Sequence, residues 1–211
     1  MRSLSKVVIS QFLRVERRRK WLPIAWLATW GLAVMSVAVP FWWVTGALAI
    51  TFWELTWQMS GTDKALVLSL ERVRRRAIQW AIFAALTLFA LFWVCVKKWN
   101  LPVYGEVPPG KVLWTVLISP ITEELFFRGL MYNGFLFVGR KLWSKRAFEI
   151  FVMVFVAFVF GVAHARTGIY LTLTTVAGVV YGLCRLKSGS VIPAIVCHAV
   201  FNALVMWTFG R

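Results

Sequence analysis

The sequence predicts an all-α, polytopic transmembrane helix bundle of about seven spans, with the motif-bearing core in the last four. Long apolar runs, one-sided positive charge and tryptophans near the ends of the runs support this reading. Of the 211 residues 60% are hydrophobic and 15% charged, and the apolar residues come in runs of about 18 or more, the length one helix needs to cross a bilayer. Such runs do not suit a soluble globule. The spans read as approximately 21–39, 41–58, 77–96, 111–138, 148–165, 168–186 and 190–209.

The chain has 24 Lys+Arg against 8 Asp+Glu, a formal charge of +16. In a soluble protein this excess would suggest nucleic acid, but its placement between spans points to membrane topology, and no nucleic-acid partner is expected. Alternating the loops across the bilayer puts 18 of the 24 on one side. They are Arg2, Lys6, Arg14, Arg17, Arg18, Arg19 and Lys20, then Lys64, Arg72, Arg74, Arg75 and Arg76, then Arg140, Lys141, Lys145 and Arg146, and finally Arg185 and Lys187. Lys97, Lys98, Lys111, Arg166 and Arg211 fall on the other side, and Arg128 lies within a span. The excess belongs in the cytoplasm, so the amino terminus is expected inside and the carboxyl terminus outside. Strongly basic inner loops fit the anionic leaflet of a bacterial plasma membrane.

Residues 1–20 also place Leu4, Val7, Val8, Phe12 and Val15 at helical spacing, which suits a basic, amphipathic segment lying on anionic lipid at the cytoplasmic face. As an ordinary basic flank, the same segment would only set orientation. The apolar stretch that follows is long for a cleaved signal and is not followed by a small-x-small site, so it reads as the first span. Three supporting spans are expected over 21–100 and a four-span catalytic core over 111–209, separated by a loop containing Pro102, Pro108, Pro109 and Gly110.

Cys95, Cys184 and Cys197 fall within spans without metal-ligand spacing, so they read as packing residues, and no disulfide is expected. Trp21, Trp42, Trp43, Trp57, Trp99 and Trp207 suit interfacial belts. Glu54 lies between Trp53 and Trp57, close enough to an interface to snorkel, and reads as structural. Gly178 and Gly182 share a helix face and permit close approach by a neighbour, as do Ala199 and Ala203. There is no internal repeat or low-complexity tract.

The fourth span, "LISPITEELFFRGL", places Glu123, Glu124 and Arg128 in mid-membrane, where unpaired charge costs several kcal/mol. Glu124 and Arg128 are i and i+4 and can pair along one face, whereas Glu123 is rotated by about 100° and remains available for other work. Pro120 removes a backbone hydrogen bond one turn earlier and can kink the helix. The fifth span ends in "FVFGVAHA", with Phe160 and His164 on one face, and the seventh reads "IVCHAVFN", with His198 and Asn202 on one face. These are the 2 histidines of the chain, and a histidine inside a span usually faces a polar cavity.

Peptide hydrolysis needs a base to activate water, donors for the oxyanion and a proton for the leaving amine. A desolvated Glu123 is suited to taking and returning that proton, and His164 to holding the same water from a facing helix. His198 and Asn202 both have N–H donors for a carbonyl oxygen that becomes negative.

Glu-Glu-x-x-x-Arg at 123–128, Phe-x-x-x-His at 160–164 and His-x-x-x-Asn at 198–202, in that order, resemble the CPBP family. That family comprises type II CAAX prenyl endopeptidases and bacteriocin-processing or immunity relatives. The likeness covers roughly residues 111–209, including "SGSVIPAIVCHAVFN", with no departure at the motif positions. It implies an intramembrane protease that needs no metal or other cofactor. By matching position, Glu123 and His164 would activate water, His198 and Asn202 would form the oxyanion hole, and Glu124 and Arg128 would be the supporting ion pair. The implied substrate is a membrane-embedded or lipidated peptide or protein.

Other readings compete. Taken singly, the charged residues could be glue between helices, with histidines bonding backbone carbonyls, and Phe160 reads as packing. A zinc-dependent membrane protease lacks its His-Glu-x-x-His motif here, with the histidines on separate helices. A non-catalytic immunity or binding protein would have no need for the full reactive set. A proton-coupled transporter fits poorly with the short length and lack of an inverted repeat. Counting ~1.5 Å per residue from the inner span ends puts Glu123, His164 and Asn202 at mid-bilayer or in its outer half, so cleavage facing outward is expected.

Overall fold

A computed structural model describes residues 73–102, 109–139, 145–164 and 168–210, and every regular element among them is helical. The expected spans at 21–39 and 41–58, the basic segment 1–20 and Glu54 lie outside the described residues. Helix α1 is Arg75–Trp99. A broken helix follows, with α2 at Pro109–Leu113, a π-helical turn at Trp114–Ile118, α3 at Ser119–Glu124, a second π-helical turn at Leu125–Met131 and α4 at Tyr132–Gly139. It is followed by α5 at Lys145–Ala163, α6 at Ile169–Ser188 and α7 at Ile192–Phe209. Four helices, α1, α5 from Arg146, α6 and α7, are long and apolar enough to cross a membrane.

Local chemistry sets the helix ends. Helix α1 closes on Asn100 in the left-handed conformation (φ 48°), whose N–H bonds Val96 O, and Lys97 and Lys98 in its last turn suit the negative end of the helix dipole. Helix α6 closes on Gly189 (φ 75°), a conformation that glycine adopts without a Cβ clash, with its N–H 2.9 Å from Arg185 O. Pro193 then sits in the first turn of α7, where its missing N–H costs no helical bond.

Helix α6 is the hub, packed on α5, α7 and α1, and α7 in turn lies along α1 and the first π-turn. The Gly178 and Gly182 face meets α5. A Cβ on Gly178 would lie 3.1 Å from the Ala157 backbone, and one on Gly182 would lie 2.7 Å from Met153 Cγ. Neither position has room for a side chain without moving a helix or a neighbour.

Polarity is reversed relative to a soluble globule. Trp80, Phe83 and Trp93 on α1, Phe151 and Phe158 on α5 and Trp207 on α7 face outward, while Glu123, Glu124, Arg128, Asn133, Arg185 and His198 are buried. This distribution suits lipid outside and a hydrogen-bonded polar interior. One charge is not where the loop count placed it. Arg185 does not flank the bundle at the membrane surface, because α6 continues to Ser188 and the interior offers that guanidinium the Asn133 side chain and the Arg128 carbonyl.

Gly178→Val is expected to separate α6 from α5 and lower stability by about 1–3 kcal/mol. Heat- or denaturant-induced loss of helicity in detergent measures it, and a substitution without effect would mean that the two helices are not in backbone contact.

Candidate active site

The broken helix owes its shape to backbone bookkeeping. In the first π-turn the Ser119 N–H reaches back to Trp114 O, five residues away. The Thr115 carbonyl therefore loses the α-helical donor at Ser119, and the donor five residues on is Pro120, which has no N–H. The side chain of Asn202 on α7 fills that gap, its Nδ2 donating to Thr115 O at 2.8 Å. The second π-turn repeats the device. The Tyr132 N–H bonds Phe127 O, and the Arg128 carbonyl accepts from Arg185 Nε of α6 at 3.2 Å. In both turns a carbonyl of the broken helix becomes an anchor for a neighbouring helix.

Helix α3, between the turns, carries the two carboxylates, both buried. Ser119 Oγ donates to Glu123 Oε1, one helical turn away. Glu123 Oε2 is buried and has no hydrogen-bond partner among the described residues. It faces His164 Nε2 at 3.9 Å. His164 Nδ1 is 2.8 Å from Phe160 O, and since a carbonyl only accepts, Nδ1 holds a proton, which in a neutral ring makes Nε2 the acceptor nitrogen. The His164 side chain is 21% exposed against 4% for Glu123, so the pair is open on the histidine side, just beyond the end of α5.

Glu124 heads a second cluster. Its Oε1 accepts from Arg128 Nη1 at 2.9 Å and from His198 Nδ1 at 2.9 Å, and its Oε2 is buried with no hydrogen-bond partner among the described residues. Arg128 Nη2 donates to Gly178 O at 2.8 Å. The guanidinium carbon lies 4.5 Å from the Phe160 ring centre and 5.5 Å from that of Tyr181. The His198 ring stacks on Tyr181 (4.5 Å, 14°) and meets the Phe160 ring at 82°. Phe160 also lies 4.4 Å from the His164 ring. It thus stands between both histidines and the arginine, and its carbonyl orients one of them.

The structure therefore brings Glu123 to His164, and Glu124 to both Arg128 and His198. It engages one donor each of His198 and Asn202, His198 Nδ1 on Glu124 and Asn202 Nδ2 on Thr115. What remains is His198 Nε2, a donor only when both ring nitrogens are protonated, and the second amide hydrogen of Asn202. Among the described residues no three of His, Cys, Asp and Glu converge in a set that could hold one metal ion.

Sequence reasoning missed Ser119, Tyr181 and Thr115. The i to i+4 relation to Glu123 marks Ser119, and Tyr181 lies three residues from Gly178 on α6. Nothing in the sequence marks the Thr115 carbonyl, because it depends on the π register. Arg128→Met leaves Glu124 as a buried carboxylate without its cation, a change expected to cost about 3–5 kcal/mol. Denaturant unfolding in detergent tests this, and wild-type stability would show that the cluster does not hold the helices.

No curated protein and no solved structure matches the chain, whereas a family model described as Type II CAAX prenyl endopeptidase Rce1-like matches residues 106–204. The matched stretch contains the whole broken helix, α5, α6 and most of α7, including both carboxylates, both histidines, Arg128 and Asn202. Over residues 106–204, which hold these buried polar and charged side chains within apolar helices, the chain is similar to the Rce1-like type II CAAX prenyl endopeptidase family of membrane proteases.

Proposed function

We propose that this protein is a metal-independent, glutamic-type intramembrane endopeptidase that cuts a membrane-embedded or lipidated peptide or protein. The observation that carries the reading is Glu123 Oε2, buried and without a hydrogen-bond partner among the described residues, 3.9 Å from the acceptor nitrogen of His164. The buried Oε2 and the Nε2 of a neutral ring are two acceptors at a separation that one water can bridge. A water molecule lying to one side of that line gives one hydrogen to each and points an oxygen lone pair outward.

In the reaction, Glu123 takes a proton from this water as the oxygen bonds the scissile carbonyl carbon. Ser119 holds the other carboxylate oxygen, which fixes the base on the water. The carbonyl oxygen becomes an oxyanion facing His198 Nε2 and the second amide hydrogen of Asn202. Because His198 Nδ1 already donates to Glu124, donation from Nε2 as well requires a proton on both ring nitrogens. Glu123 then passes its proton to the amide nitrogen, the C–N bond breaks, and a carboxylic acid and an amine leave.

The donor set favours this mechanism over a zinc site. Glu124 is bonded to both His198 and Arg128, so of the paired carboxylates and histidines among the described residues Glu123 and His164 remain, short of the three protein ligands usual at catalytic zinc. The family description supports a prenylated carboxyl-terminal tail as substrate. The charge distribution supports a bacterial plasma membrane, a cytoplasmic amino terminus with anionic lipid at that face, and no nucleic-acid partner.

The test uses purified full-length protein in liposomes and a quenched fluorescent peptide with a farnesylated CAAX terminus, with products identified by mass. Glu123→Gln is expected to lower kcat by roughly 10²–10⁴-fold with the protein still folded, and chelators are expected to leave cleavage unchanged. Wild-type turnover by Glu123→Gln would rule out the glutamate as base. Loss of cleavage to a chelator, restored by zinc, would establish the metal-dependent alternative, and retained binding without cleavage by wild type would establish a non-catalytic immunity or binding protein.

A further inference from the structure

We propose that Arg185, outside the reactive set, is a positioning residue for the Glu124–His198 pair, an inference that rests on the endopeptidase reading. Arg185 is buried on α6, with Nε 3.2 Å from Arg128 O, Nη2 2.6 Å from Asn133 Oδ1 and its guanidinium carbon 4.3 Å from the Tyr132 ring centre. These three partners close the second π-turn and open α4, immediately after the segment that carries the carboxylates.

The same helix grips Arg128 a second time. Gly178 O accepts from Arg128 Nη2, and residues 178 and 185 are seven apart, two turns along one face of α6. Helix α6 thus holds Arg128 by its side chain through Gly178 and by its backbone through Arg185. With both ends held, the guanidinium has one orientation, and Nη1 presents to Glu124 Oε1 the bond that aligns this oxygen with His198 Nδ1. Releasing the backbone end lets the π-turn relax toward α-helical register, which rotates Arg128 and with it the carboxylate that orients the histidine. Arg185 bonds none of the proposed reacting groups, so its loss should slow the chemical step while substrate affinity stays the same. A residue that only adds stability would instead lower the folded fraction and leave turnover per folded molecule unchanged.

The decisive comparison is kcat and KM for the farnesylated CAAX peptide in liposomes, normalised to folded protein and measured well below the unfolding temperature. Arg185→Met is expected to lower kcat by roughly 10²-fold at a KM within about twofold of wild type, the scale set by small misplacements of catalytic groups. Arg185→Lys, whose ammonium lacks the planar fork that reaches the Arg128 carbonyl and Asn133 from separate nitrogens, should fall between the two. Asn133→Ala, which removes one acceptor of Arg185 and leaves the Arg128 carbonyl, should lose less than Arg185→Met. Wild-type kcat in Arg185→Met, or a change confined to KM, overturns the proposal. If Arg185→Met does not fold, wild-type kcat in both Arg185→Lys and Asn133→Ala overturns it equally. Glu123→Gln run alongside separates the two ideas. If it is inactive while the Arg185 variants are normal, only the positioning role falls, whereas cleavage by Glu123→Gln removes the endopeptidase reading and this proposal with it.

Discussion

Placing the Glu124 carboxylate and the Arg128 guanidinium inside an apolar bundle is the constraint on which the rest of the structure depends. An isolated ion there is unfavourable by several kcal/mol, so each must be met by partners in the fold. Arg128 answers with Glu124 on one nitrogen and the Gly178 carbonyl on another, and Glu124 answers with His198 as well. Meeting those demands draws α6 and α7 to the broken helix. The α6 hub also has to approach α5 closely, which is possible because Gly178 presents no side chain to Ala157. Charge pairing and glycine packing are two sides of one arrangement.

A bilayer interior offers no water to a loose backbone group, so a helix broken within it must find partners for what the break releases. Here the release is put to use. Pro120 and the π register strip the Thr115 carbonyl of its donors, and Asn202 takes the place. The second π-turn exposes the Arg128 carbonyl, and Arg185 takes that one. The segment between the two anchors is the one that holds Ser119, Glu123 and Glu124, so the breaks bracket the chemistry and attach it to both neighbouring helices. Against this rigid frame, His164 stands at the open end of the site, partly exposed beside a buried carboxylate.

Much of this was legible before any coordinates. Helical geometry alone separates Glu124, paired with Arg128, from Glu123, rotated away, and the structure draws the same distinction in its hydrogen bonds. The four described helices able to cross a membrane overlap the runs expected for them, and the carboxyl ends of α1 and α6 run a few residues past those runs to their caps at Asn100 and Gly189. Arg185 shows where sequence reasoning stopped. Counted with the loop charges because it stands beside Lys187 near a span end, it lies inside because Asn133 and a π-turn carbonyl wait for it there. Phe160, read as packing, does pack, but against both histidines and the arginine at once.

The sequence by itself determined that the described part of the chain is helical, that it is built for a bilayer, and that a carboxylate pair, an arginine, two histidines and an asparagine sit on apolar helices. Those properties follow from composition and from the 3.6-residue period, which act along the chain. Only the tertiary structure decided which carboxylate oxygen meets which ring nitrogen, that His198 bonds Glu124 while His164 faces Glu123, and that Asn202 caps a carbonyl left bare by a proline five residues on. The reason is physical. Those pairings depend on helix register and on which backbone groups a π-turn leaves without a donor, and both are settled only when separate helices pack against each other.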